Sequence, residues 1–177
     1  AASRPYDVLN SAEAKAEAGE RSLLHIIKPE IDFDPIADEH AEEVYDRAVE
    51  NFCLWRERGW LQQDEEEHYY VYAQTMDGRT QYGLVAACHF DDYLTGKIKK
   101  HELTRREKEL DRIEHFDACS AQTEPVFLAY RKHEGLSAII REWIKFHKPE
   151  YDFTTEDGVT HILWPVSEPG TVEDIRK

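Results

Sequence analysis

Apolar and polar positions along the chain change period several times, and each change marks an element. Asn10, with Glu13 three residues on, forms a capping box that starts a short helix running to Gly19. Ser22 to Lys28 is a short apolar run ended by Pro29, the pattern of a buried strand. Val44, Ala48, Phe52 and Trp55 recur at helical spacing, so Asp38 to Arg58 reads as a long helix closed by Gly59. His68 to Met76 and Thr80 to Phe90 are rich in Tyr, Val and Thr and flank Asp77-Gly78, a strong hairpin signal. Thr104 to Cys119 reads as a helix, with Thr104 and Glu107 as a second capping box. Pro125 to Tyr130 predicts a strand and Leu136 to His147 a helix. Tyr151 to Thr155 and Val159 to Val166 predict a second hairpin around Asp157-Gly158.

Hairpins mixed with helices in irregular alternation predict an α/β (α+β) fold. Its sheet should be mixed and mostly antiparallel, with flanking helices. The expected organisation is a single α/β domain over residues 1–177. Pro169-Gly170 is a turn, and the residues after it read as the first turns of a helix. That ending suggests a piece of a longer protein, the alternative being a complete chain with a short terminal helix.

Composition narrows the function. The formal charge is −15, charged residues make up 33 % and the mean hydropathy is −0.71, yet 11 % of residues are aromatic. Four Trp would be wasted on a disordered tail, so the chain is expected to fold. Its negative charge opposes non-specific binding to nucleic acid. No apolar run approaches the ~20 residues of a membrane helix, so no membrane partner is expected. Cys53, Cys88 and Cys119 are far apart and form no CxxC, which indicates neither a zinc ribbon nor a disulfide framework. A reducing cytoplasm is the expected location.

One segment departs from the acidic background. Six of the ten residues from Lys97 to Arg106 are Lys, Arg or His. Arg105, Lys108, Arg112 and His115 then follow at i, i+3, i+7 and i+10, within an arc of ~80° on one helix face. A cationic loop leading into a helix N-terminus describes a site for phosphate or another anion. The candidate anion-binding residues are Lys99, Arg105, Lys108, Arg112 and His115. On the same pattern Leu103, Leu110 and Ile113 define the buried face, with the basic stripe nearly opposite. The competing reading of the stripe is ordinary surface pairing with Glu107, Glu109 and Asp111. His101, Asp111 and His115 make a weak metal set, with Asp111/His115 as its one helical pair and no HExxH, so no metal ligands are assigned. Walker A and GxGxxG motifs are absent.

Several segments carry a resemblance. Arg4 to Val8, Leu24 to Glu30, Tyr72 to Arg79, Lys99 to Thr104, Lys108 to Arg112 and Pro125 to Leu128 resemble, in the same order, segments of the bacterial and archaeal domain-of-unknown-function family 1015. That family is longer and carries an Asp-Gly-His-His-Arg motif beyond the region matched here, so the resemblance implies that this chain is the N-terminal portion. The motif is similar to that of free serine kinases of the ParB/sulfiredoxin-like group. Those kinases also carry a Lys-x-His-Glu element, which Lys99-Lys100-His101-Glu102 matches.

The resemblance implies phosphoryl transfer to a small hydroxy amino acid in the full-length protein. Glu102 would accept the hydroxyl proton, His101 would orient its neighbours, and the basic residues would hold phosphate oxygens. Mg²⁺ and a nucleotide, ATP or ADP, follow from that chemistry, although no ligand set for them is visible. The alternative is a non-catalytic nucleotide- or metabolite-binding regulatory module. A third reading makes the basic stripe a docking face for the rest of its own chain. A homo-oligomer is left open.

Overall fold

The computed structural model describes residues 4–101 and 103–177. In chain order the helices and strands are α1 (Ser11–Glu17), α2 (Leu24–Ile27), α3 (Glu42–Glu57), β1 (Tyr69–Met76), β2 (Arg79–Val85), α4 (Phe90–Leu94), α5 (Arg106–Cys119), α6 (Glu134–Phe146), β3 (Tyr151–Thr154), β4 (Thr160–Val166) and α7 (Pro169–Arg176). The fold is mixed α/β with one four-stranded antiparallel sheet, as the pattern of hairpins and helices predicts. No helix among the described residues is long and apolar enough to cross a membrane.

The chain forms two compact units, each assembled from two stretches of sequence. The first comprises Ala1–Gln63 and Lys100–Phe127. Here Asn10 closes its capping box: its side chain accepts from Glu13 N at 2.9 Å while the Glu13 carboxylate accepts from Asn10 N at 3.0 Å. Leu9, Ala14, Leu24 and Ile31 form a small core with Tyr6 and Ala18 at its edge. Val44, Ala48 and Trp55 are buried along α3, and Phe52 is half-buried, as their spacing predicts.

The apolar run at Ser22 to Lys28 is helical, not a strand. Ile27 N donates to Leu23 O and Lys28 N to Leu24 O, so the backbone groups are satisfied within the segment itself. Thr104 does not cap α5; Arg105 occupies the N-cap without a side-chain hydrogen bond. Pro125 to Tyr130 is not a strand. Val126 and Phe127 are exposed, and Pro125 has no N–H to give a ladder.

The second unit comprises Asp64–Lys99 and Leu128–Lys177. Its sheet has the order β2-β1-β4-β3. β1 pairs with β2 across Asp77-Gly78, where both residues have positive φ, 52° and 74°. Two successive residues at positive φ match the twist of the flanking strands. The predicted strand over Thr80 to Phe90 ends at Val85, and Phe90 begins α4, with His89 Nδ1 capping Asp91 N. β3 and β4 form the second expected hairpin. Val71 and Ala73 point from β1 into a core made with Ile140 and Trp143 of α6 and Trp164 and Val166 of β4. Val172 and Ile175 of α7 pack on the same core.

Candidate functional site

The first unit carries an open cleft of about 720 Å³. Its walls come from the turn around Tyr6, the start of α1, the segment Ile27 to Glu30 after α2, the start of α3 and one side of α5. Arg105, Lys108, Arg112 and His115, the four residues of the predicted stripe, all line it. Leu103 and Thr104 line it as well.

The buried side of α5 is the reverse of the one expected. Leu103 is 92 % exposed, and Leu110 and Ile113 are each 48 % exposed. Asp111, His115 and Cys119, at i, i+4 and i+8, are the buried positions. Polar groups go inward here because each finds a partner, which removes the cost of desolvation.

His115 Nε2 lies 2.7 Å from Ile26 O. A carbonyl only accepts, so this nitrogen carries the proton and ties α5 to α2. Asp111 is held on several sides. Arg112 donates to its Oδ2 from Nη2 at 2.7 Å and Nε at 3.0 Å. Tyr45 donates to its Oδ1 at 2.9 Å, and His40 Nδ1 stands 3.3 Å from the same oxygen. Burial opposes ionisation of Asp111, but the Arg112 and Tyr45 hydrogen bonds and the Arg112 charge outweigh it, so its carboxyl lies below the usual range. Burial, then the bond to Asp111, pushes the Tyr45 phenol far above its usual range.

Arg112 also donates from Nη1 to Glu124 at 2.5 Å, and its guanidinium lies over the Tyr6 ring at 5.2 Å from the centroid. It therefore works first as a brace for the cleft wall.

A second charged group was missed by sequence reasoning. Glu30 is 2 % exposed; its Oε1 accepts from Lys28 Nζ at 3.0 Å and from Ser11 Oγ at 2.7 Å. Glu39 stands 3.8 Å from Lys28 and 3.6 Å from His40. Lys28-Pro29-Glu30, charge on both sides of a proline after an apolar run, was the available signal. Reading that run as a strand hid it.

Among the described residues, Arg105 and Lys108 make no ion pair, and both are exposed. Among the described residues they are the cleft-lining cations for which no carboxylate partner is seen. Asp7 also lines the cleft and has no ion pair among the described residues. His101 is exposed and does not line the described cleft, and Lys99 is exposed and belongs to the second unit. Glu102 lies outside the described residues. No group of three His, Cys, Asp or Glu among the described residues could hold a metal ion.

The sequence matches, over residues 1–177, the family described as Protein of unknown function (DUF1015). The chain belongs to the DUF1015 family. No curated protein and no solved structure matches it. In this DUF1015 chain the chemistry of the cleft therefore rests on its own side chains: an internally neutralised floor at Lys28–Glu30, a braced wall at Asp111–Arg112, and two cations at the start of α5 that are unpaired among the described residues.

Proposed function

We propose that the cleft of the first unit binds a small metabolite bearing phosphate or a comparable anion. The observation that carries this reading is the state of its charges. Lys28 and Arg112 are engaged by Glu30, Asp111 and Glu124, whereas Arg105 and Lys108 are not engaged within the described residues. Both stand near the N-terminal turn of α5, whose backbone N–H groups and dipole favour an anion. Arg105 suits two-pronged contact with phosphate oxygens and Lys108 adds a point charge. Asp7 supplies an acceptor for a hydroxyl or amine elsewhere on the same ligand.

Phosphoryl transfer is the sharper form of this reading. It is favoured by sequence adjacency: Glu102 immediately precedes Leu103 and Thr104, which line the cleft. Glu102 would take the proton of a substrate hydroxyl, in the manner of the free serine kinases that Lys99-Lys100-His101-Glu102 resembles. The phosphoryl donor would be a nucleotide with Mg²⁺. Glu30, Glu39 and Asp111 are held by Lys28, Ser11, Arg112, Tyr45 and His40, and do not form a metal site.

The test is a thermal-shift series with phosphate, sulfate, ATP, ADP, serine and phosphoserine. A ligand present at about 100 times its Kd adds about 2.7 kcal/mol of stability. Arg105→Ala/Lys108→Ala should abolish the anion-induced shift while leaving the ligand-free melting temperature nearly unchanged. An equal shift in this variant removes the cleft from the reading. Binding without turnover supports a regulatory module; turnover that Glu102→Gln abolishes supports the kinase-like form.

A further inference from the structure

Helices α6 and α7 pack on one face of the sheet in the second unit, the face of Val71, Ala73, Trp164 and Val166. The alternate residues of the same strands stand on the opposite face. There the register sets Leu163 of β4 between Tyr72 of β1 and Tyr151 of β3. Two residues along, His161 sits between Gln74 and Phe153. The His161 ring stacks with Tyr72, at 6.0 Å and 20°, and with Phe153, at 5.2 Å and 23°. Its Nδ1 shares a 2.5 Å hydrogen bond with the Tyr72 hydroxyl, which fixes both rings. These residues line a slot of about 180 Å³. Tyr72 and Tyr151 are two strand spacings apart, about 10 Å between their backbones. That gap takes one small group in contact with an aromatic ring on each side.

The surroundings select the charge of the occupant. Asp64 accepts a hydrogen bond from Tyr70, which stands on β1 next but one to Tyr72. Glu150 precedes Tyr151, and its backbone N donates to Leu163 O at 2.9 Å. The charge of Glu150, then burial, raises the Tyr151 phenol, and Asp64 adds to the effect. Electron-rich ring faces beside carboxylates attract organic cations and repel phosphates. An inorganic cation lacks enough oxygen ligands here, since the walls are carbon and aromatic ring.

We propose that the slot formed by Tyr72, Tyr151, Phe153 and His161 binds a small free organic cation of the quaternary-ammonium class. The rings enclose the charged head, and Glu150 and Asp64 supply the opposing charge.

Calorimetric titration of the full chain with choline tests this. Its control is the uncharged alcohol in which carbon replaces the choline nitrogen, a ligand of the same shape. Choline should bind with a Kd in the low millimolar range and the neutral analogue roughly tenfold more weakly or worse. Tyr151 is exposed, so Tyr151→Leu should fold normally and weaken choline about tenfold, and Glu150→Gln should weaken it severalfold. Equal binding of the two ligands would show an apolar slot without charge preference and overturn the proposal. So would unchanged choline binding in Tyr151→Leu, or no binding at about 100 mM choline. Binding to phosphatidylcholine vesicles without binding to free choline would overturn the assignment to a free small cation.

Discussion

Glu30 is tolerated at 2 % exposure because Lys28 and Ser11 both reach its carboxyl group. Glu30→Gln would remove the nearer of the two carboxylates beside the buried Lys28 ammonium, leaving only the exposed Glu39 at 3.8 Å, and should destabilise the chain by about 3 kcal/mol in urea denaturation. The double variant Lys28→Met/Glu30→Leu should recover most of that loss, because it removes both charges together. Recovery no better than the single variant would show that Ser11 and the backbone, not the charge pair, set the cost. Asp111 makes a prediction about acid. Its folded-state pKa is depressed below the ordinary 3.8, so its contribution is complete above that value and is lost as pH falls through the folded pKa. Wild-type stability should therefore fall more steeply below about pH 4 than that of Asp111→Asn. Parallel curves in urea titrations at each pH would show that the Arg112 contact does not stabilise the charged form. Arg112→Ala is a poor probe of ligand binding for the same reason: it strips Asp111 and Glu124 of their partner.

At the scale of elements, the Asp77-Gly78 turn isolates a backbone effect. A Cβ at Gly78 would meet nothing within 4 Å, so a substitution there acts through the positive φ of 74° and not through a clash. Gly78→Val should cost more than ~1 kcal/mol, and Gly78→Asn clearly less, in thermal melts. Equal costs would mean that the turn can relax out of the left-handed region. Such turns were legible in the sequence because the signal is local: Asp-Gly between alternating strands, or Asn10 with Glu13, fixes geometry over a few residues. The α3 stripe of Val44, Ala48 and Trp55 was legible because there the apolar positions are themselves the buried ones. Ser22 to Lys28 was not, since a short apolar run fits a strand or a buried helical turn equally well. Pro125 to Tyr130 looked like a strand by residue type alone; strand formation also needs a neighbour, which composition does not report. The side of α5 that faces inward was misjudged because hydrophobicity was the only guide. The inward positions are Asp111 and His115, whose partners Arg112, Tyr45, His40 and Ile26 come largely from distant sequence. Arg105, Lys108, Arg112 and His115 still share one side of α5, because their spacing does not depend on which side is buried, but that side is partly inward: His115 is buried and Arg112 is paired with Asp111 and Glu124.

At the scale of the whole molecule, the two cleft-bearing units give ligand binding a spatial signature. An anion in the cleft of the first unit should slow amide hydrogen exchange within residues 4–63 and 100–127, most strongly in the first turn of α5 and around Lys28. Choline should instead slow exchange in β1, β3 and β4. Phosphate protection confined to the strands would contradict the assignment of anion binding to the cleft.

The interleaving of the units along the chain governs the order in which they can be completed as the polypeptide leaves the ribosome. Residues up to Gln63 cannot close the first unit until α5, ending at Cys119, has been synthesised. Meanwhile β1 and β2 can zip into a hairpin at once, but the other edge of β1 waits for β4, which begins at Thr160. For roughly eighty residues of synthesis, β1 presents an open row of N–H and C=O groups along that edge, and for most of that interval α6, which ends at Phe146, has not been made to cover Val71 and Ala73. A nascent chain stalled before Thr160 should therefore associate edge to edge, and chaperones that bind extended apolar segments should find β1 as their target.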